Sequence, residues 1–169
     1  MGLLDFSRTR ASAHVTVNLV DVIGSAVRLL SHQKRNTGVE FAIDIATDLR
    51  VVNGDAGQLQ QAVIALATNA LDAMTLSGTL SIRARNEEDR VTVEVSDTGI
   101  GIAPENLPKI FEPFFTTKEV GHGTGLGLAV CYGILTEHGG TLDVQSTVGV
   151  GTTFTITLPV VNLNEEITA

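Results

Sequence analysis

The chain has 169 residues, 43% of them hydrophobic and 18% charged, which suits one soluble globular domain with a core of its own. Nineteen acidic against eleven basic residues leave a formal charge of −8, and without a basic cluster this argues against nucleic acid as a partner. No run of eighteen apolar residues occurs, the N-terminus lacks a signal-peptide core, and the single cysteine, Cys131, fits a reducing compartment.

In chain order, residues 1–12 read as the remnant of a preceding helix or linker, with "LLDFSR" as its end. Leu19, Ile23, Val27 and Leu30 stand at helical spacing, and "VEFAIDIA" alternates as a strand. Asn53-Gly54 predicts a turn. Asp55 is the expected N-cap of a second helix, with Gln58 as its capping-box partner and Leu59, Val63, Leu66, Ala70 and Met74 as its buried stripe. Leu80, Ile82 and Ala84, then Val91, Val93 and Val95, alternate on either side of a polar loop and predict an antiparallel hairpin. Residues 98–124 show no sustained periodicity, as a functional lid would. A glycine-closed helix, "LGLAVCYGILTEHGG", and a last hairpin around Gly149 and Gly151 follow; 161–169 read as a tail. The expected fold is an α/β two-layer sandwich, a mixed, mostly antiparallel sheet of about five strands covered on one face by three helices.

Four stretches invite chemistry. "GHGTGLGLAV" sets Gly121, Gly123, Gly125 and Gly127 at the start of a helix, where backbone N–H groups and the helix dipole favour a phosphate. It matches neither a dinucleotide fingerprint nor a Walker loop, and a lid hinge without ligand is an equal alternative. In "DTGIGI", Asp97 ends a strand and can accept from an adenine amino group, although an Asp-Gly turn would look the same. Asn69, in "NALDAM", offers an amide oxygen to Mg²⁺, or is merely solvated. "IFEPFFTTK" gathers three phenylalanines that would dock a lid, with Lys118 as a mobile cation for a terminal phosphate.

Together with "GVGTTF", these motifs resemble, in order and spacing, the N, G1, F, G2 and final glycine boxes of sensor histidine kinases. The likeness runs from about residue 13 to 160 and is nearest the nitrogen-regulation type. It implies the catalytic ATP-binding domain, a Bergerat fold with a flexible ATP lid, over 13–160. By the same resemblance Asn69 is the Mg²⁺ ligand, and Asn69 and Lys118 serve the transfer. Asp97 anchors adenine, and Gly99, Gly101 and Ile102 shape that pocket. Phe114, Thr117, Lys118, Gly121, Gly123, Thr124, Gly125, Leu126, Gly127 and Leu128 belong to the lid's nucleotide contacts. Asp72 and Thr152 complete the nucleotide set.

The chain departs from many relatives at Ala65, where they carry a second Asn or an acid, and at Asp72, where they carry Lys or His. Gyrase-type ATPases place a glutamate general base at the Ala65 position; alanine cannot activate water, so a kinase suits the chain better than a hydrolase. His14, His32, His122 and His138 are each followed by a residue other than an acid, unlike the family's acceptor, and His138 reads as a helix C-terminal residue favoured by the dipole. The implied partners are an upstream dimerisation domain bearing the acceptor histidine and a response regulator downstream. The implied setting is cytoplasmic, with no membrane contact by this domain and the parent kinase free to be membrane-anchored. A regulatory nucleotide-binding module and a serine kinase of the anti-sigma type are the competing readings.

Overall fold

A computed structural model describes residues 14–33, 38–118 and 123–162. The readings placed on residues 1–12, Gly121, His122 and most of the tail lie outside the described residues. The elements run β1 (Val15–Val17), α1 (Leu19–Gln33), β2 (Gly38–Ile45), β3 (Val52–Gly54), α2 (Ala56–Ala73), β4 (Ser77–Glu87), β5 (Arg90–Asp97), a 3-10 turn (Leu107–Lys109), α3 (Gly127–Glu137), β6 (Thr141–Thr147) and β7 (Gly151–Pro159).

Five strands form one sheet in the order β2-β4-β5-β7-β6, antiparallel except for the parallel β2–β4 pair. Alternation decides its faces: Leu80, Ile82 and Ala84 of β4, Val91, Val93 and Val95 of β5, and Phe154, Ile156 and Leu158 of β7 are all buried. α2 lies against β4 and β5, and α1 and α3 flank it, so the helices cover one face. The expected stripe of α2 enters this core whole, joined by Ala62, Ala67 and Leu71. Small residues there let α2 and α3 approach closely.

The other face carries polar and charged side chains. Asp44, Arg83, Arg85, Glu87, Thr92 and Glu94 line a groove of about 310 Å³, with Arg83 3.7 Å from Asp44 and 3.9 Å from Glu94. Exposed pairs of this kind contribute little, roughly 0–1 kcal/mol each.

Two expectations need correction. Asn53-Gly54 is not a turn: both residues lie in β3, which pairs antiparallel with β1 in a second, two-stranded sheet. Three-residue strands are too short to show a period, and the pairing is distant in sequence. The capping box is only half formed. Asp55 accepts from the Gln58 amide at 3.0 Å, but the Asp55 amide donates to His138 Nε2 at 3.0 Å, and Gln58 Oε1 is buried with no partner.

His138 stands at the C-terminal end of α3, as its place in the sequence implied, and its ring is held there by specific hydrogen bonds. It is the buried C-cap of α3, its Nδ1 2.7 Å from the Ile134 carbonyl and its Nε2 accepting. That pattern fixes the neutral tautomer with hydrogen on Nδ1. The ring packs over Gly54, where an added Cβ would lie 2.4 Å from His138 Cδ2, and His14 stacks on it at 5.1 Å.

Candidate active site

The alternating run of β5 ends at Asp97, buried like the apolar residues that precede it on the same face. Register places Leu80 on one side of it and Thr152 on the other. The carboxylate accepts from the Gly99 amide at 2.8 Å. Burial pushes its pKa above the ordinary carboxylate value, against backbone hydrogen bonds from Gly99 and Thr152 that pull it down. A buried acceptor oriented in this way at the floor of a cleft can take a hydrogen bond from a ligand's donor group.

Behind it the chain turns tightly. The Ile100 amide bonds to Ala73 O at 3.1 Å, and a Cβ at Gly99 would stand 2.5 Å from that same oxygen. Ser146, which no sequence signal marked, ties this region together. Its hydroxyl accepts from Ile102 N at 2.8 Å, donates to Gly151 O at 3.0 Å, and lies 2.8 Å from Thr152 Oγ1.

The cleft above Asp97 measures about 540 Å³, within the usual range for small-molecule sites. Thirteen of the anticipated residues line it: Asn69, Asp72, Asp97, Gly101, Ile102, Thr117, Lys118, Gly123, Thr124, Gly125, Gly127, Leu128 and Thr152. Asn69 and Asp72, one turn apart on α2, face it from the helix side. Lys118 reaches across from the lid, its Nζ 2.6 Å from Asp72 Oδ2. Ala65, Thr68, Ala73, Ile100, Ile110, Phe115, Thr116 and Phe154 complete the wall. Phe154 was legible by strand alternation from Thr152, and Phe115 and Thr116 by their place in "FFTTK".

Three anticipated residues do not line the cleft. Gly99 acts one step removed, through its amide on Asp97. Phe114 is 75% exposed, with φ of +69°, and Leu126 is partly exposed outside the cleft. Of the phenylalanine cluster, Phe111 packs on Tyr132 and Phe154, Phe115 is half-buried, and Phe114 points away.

Phe114 instead closes the lid on itself. Its amide donates to Gly125 O at 2.9 Å, and a Cβ on Gly125, φ +67°, would fall 2.4 Å from the Phe114 carbonyl carbon. A Cβ on Gly123 would meet the stem of Lys118 at 2.9 Å, whereas one on Gly127 would meet nothing within 4 Å. In this arrangement Gly123 and Gly125 therefore answer to packing inside the lid. Gly127, at the start of α3, is left open for close approach.

A match to a family model decides what this cleft belongs to. Residues 54–162 match the model of the histidine kinase-, DNA gyrase B- and HSP90-like ATPases. The chain belongs to this ATPase family. It is 44% identical to the sensor kinase CckA of Brucella abortus (strain 2308), over 93% of this chain and 18% of that protein. It is 41% identical to the sensor histidine kinase ZraS of Salmonella typhimurium (strain LT2), over 86% of this chain and 31% of that protein. The chain thus spans about a fifth to a third of these curated relatives. Among solved structures, the nucleotide-free catalytic domain of the histidine kinase ThkA superposes with a TM-score of 0.78 at 31% identity, covering 86% of this chain and 95% of that one. ThkA in complex with the response regulator TrrA gives 0.77 at 28% identity, over 94% and 45% of the two chains. The fold is that of histidine kinase catalytic domains, and ATP is the ligand this family's domain binds.

Two further observations bound the chemistry. Among the described residues no group of three or more His, Cys, Asp or Glu is placed to hold a metal, and no helix is long and apolar enough to cross a membrane. Cys131 is buried, and desolvation pushes its thiol up to about 12, so it is no nucleophile at neutral pH.

Proposed function

We propose that this domain binds ATP with Mg²⁺ and presents the γ-phosphoryl group to a histidine on a separate, upstream dimerisation domain. The phosphoryl group then passes to a response regulator. The observation that carries the reading is convergence. Asp97, Asn69 and Lys118 come from three motifs far apart in the chain, yet all face one cleft.

The donor set suits the ligands. Asp97 offers a buried, oriented acceptor for the adenine amino group, and Gly101 and Ile102 flank that subsite. Asn69 offers one neutral oxygen. Mg²⁺ takes one or two protein oxygens and completes its shell with waters and phosphates, so a site without a protein cage fits it. The metal would supply charge neutralisation at the phosphates; Lys118 supplies the matching cation from the lid.

Ala65 lines the cleft where a water-activating carboxylate would have to stand, which favours transfer over hydrolysis. Transfer asks the domain mainly for positioning and charge. Such a domain acts in the cytoplasm, where ATP is, whether or not its parent kinase is anchored in a membrane. The test is calorimetric titration with a non-hydrolysable ATP analogue, with and without Mg²⁺, followed by a phosphohistidine assay on an added dimerisation domain. Binding strengthened by Mg²⁺ together with acid-labile phosphate on the partner is expected. Binding indifferent to Mg²⁺ with no phosphohistidine would replace this reading by a regulatory nucleotide-binding module.

A further inference from the structure

The described residues that line the cleft include three charged side chains, Asp72, Asp97 and Lys118. The one cation among them is already engaged, with Lys118 Nζ 2.6 Å from Asp72 Oδ2. This contact joins the rim of α2 to the lid across 46 residues of sequence, and both side chains are 36% exposed. The lid is built to deliver the lysine there. Its amide donates to Thr116 Oγ1 at 3.1 Å, and its stem lies over Gly123, where an added Cβ would stand 2.9 Å from Lys118 Cδ.

A triphosphate entering this cleft meets an acidic protein, formal charge −8, whose one lining cation among the described residues is held by a carboxylate. It can gain Lys118 only by taking it from Asp72, and doing so leaves the Asp72 carboxylate bare beside the phosphates. A divalent cation removes that repulsion. Asp72 stands one helical turn from Asn69, close enough to accept from the hydration shell of a metal that Asn69 holds.

We propose that Asp72 is a positioning residue that parks Lys118 in the nucleotide-free site, and that ATP binds by exchange. Lys118 passes from the Asp72 carboxylate to the terminal phosphate, and Asp72 turns to the water shell of Mg²⁺. The exchange rests on the ATP-binding reading above and deepens it. Its consequences are that Mg²⁺ dependence is set largely by Asp72, and that Lys118 sets the preference for ATP over ADP.

The test is a double-mutant cycle on this chain with D72N, K118Q and D72N/K118Q, both sites being exposed enough to leave the fold intact. Dissociation constants for ATP and ADP are measured in EDTA and in excess Mg²⁺. In EDTA, D72N is expected to bind ATP about two- to five-fold more tightly, the range that coupling of a surface pair implies. In the K118Q background that gain shrinks, and K118Q loses preference for ATP over ADP. In excess Mg²⁺ the advantage of D72N disappears.

An equal D72N gain in both backgrounds, or none in either, overturns the exchange. D97N, measured alongside, separates the two claims. Undiminished ATP binding by D97N sinks the pocket assignment. Its loss, combined with an equal D72N gain in both backgrounds, sinks only the exchange. A wild-type chain that binds neither nucleotide overturns both.

Discussion

Replacing His138 by alanine tests how the helix layer is joined. The imidazole is 6% exposed, bridges the end of α3 to the start of α2, and fills the space over Gly54. His138→Ala leaves the half-buried Asp55 amide without its acceptor, at a cost of about 1–2 kcal/mol, the lower part of the range because water can partly reach it. The ring-sized void adds on the order of 1 kcal/mol at about 24 cal/mol per Å³. The total, about 2–3 kcal/mol, should lower Tm by about 4–12 °C in a chain of this size. Circular dichroism melting would measure it. Gly54→Ala should destabilise by itself, since its Cβ would overlap the ring, by about 1–3 kcal/mol. In the double variant that methyl group enters the vacated space, so the two losses should sum to more than the double variant shows. A Tm fall below about 2 °C for His138→Ala, or strict additivity in the double variant, would refute the bridging role.

Two further perturbations bear on the site. Asp97→Asn should weaken ATP analogue binding by about 10- to 100-fold in calorimetry, because a charged acceptor becomes a poorer one whose NH₂ opposes the adenine donor. Its effect on stability has the opposite sign. A carboxyl pKa raised in the fold means that the native state binds more protons than the unfolded one between the ordinary and the raised value. Ionised Asp97 therefore costs stability above that window, and the cost is relieved as pH falls through the raised pKa. Asp97→Asn should melt no lower than wild type at neutral pH, and wild-type affinity for ATP should decline through the same window on acidification. A variant that melts clearly lower would contradict the assigned cause. Gly125→Ala forces a left-handed backbone on alanine, about 1–2 kcal/mol, and collides with Phe114. Local opening of the lid releases that strain, so faster hydrogen exchange of the Phe114 amide and about ten-fold weaker nucleotide binding are expected with Tm little changed; unaltered exchange would show that the Phe114–Gly125 contact does not hold the lid.

What the sequence disclosed follows from range. The α2 stripe and the β4–β5 hairpin were legible because periodicity over eight or more residues reports a buried face directly. Asp97 was legible as the polar residue that ends an alternating strand. The β1–β3 sheet was not, since three residues carry no period and their partners lie far away. The same limit hid Ser146 and the His138–Asp55 bond, which spans 83 positions. The glycine-rich stretch was noticed for its ligand chemistry. That Gly123 and Gly125 also make room for Lys118 and Phe114 depends on contacts formed only in the folded lid.

The register that sets Asp97 opposite Thr152 has a consequence for how such a domain can vary. β5 and β7 are neighbours in the sheet, but the lid, α3 and β6 all lie between them in sequence. Lengthening that excursion leaves every rung of the ladder in place. Closing a longer loop costs only about 0.6 kcal/mol for each doubling. A slip of one residue in the β5–β7 pairing, by contrast, would turn Asp97 to the opposite face and empty the floor of the cleft. Insertions and exchanges in the lid are therefore cheap, while the last rung beside Asp97 tolerates none. Engineering of a new phosphate or partner preference belongs in the loop, with the strand pair left alone.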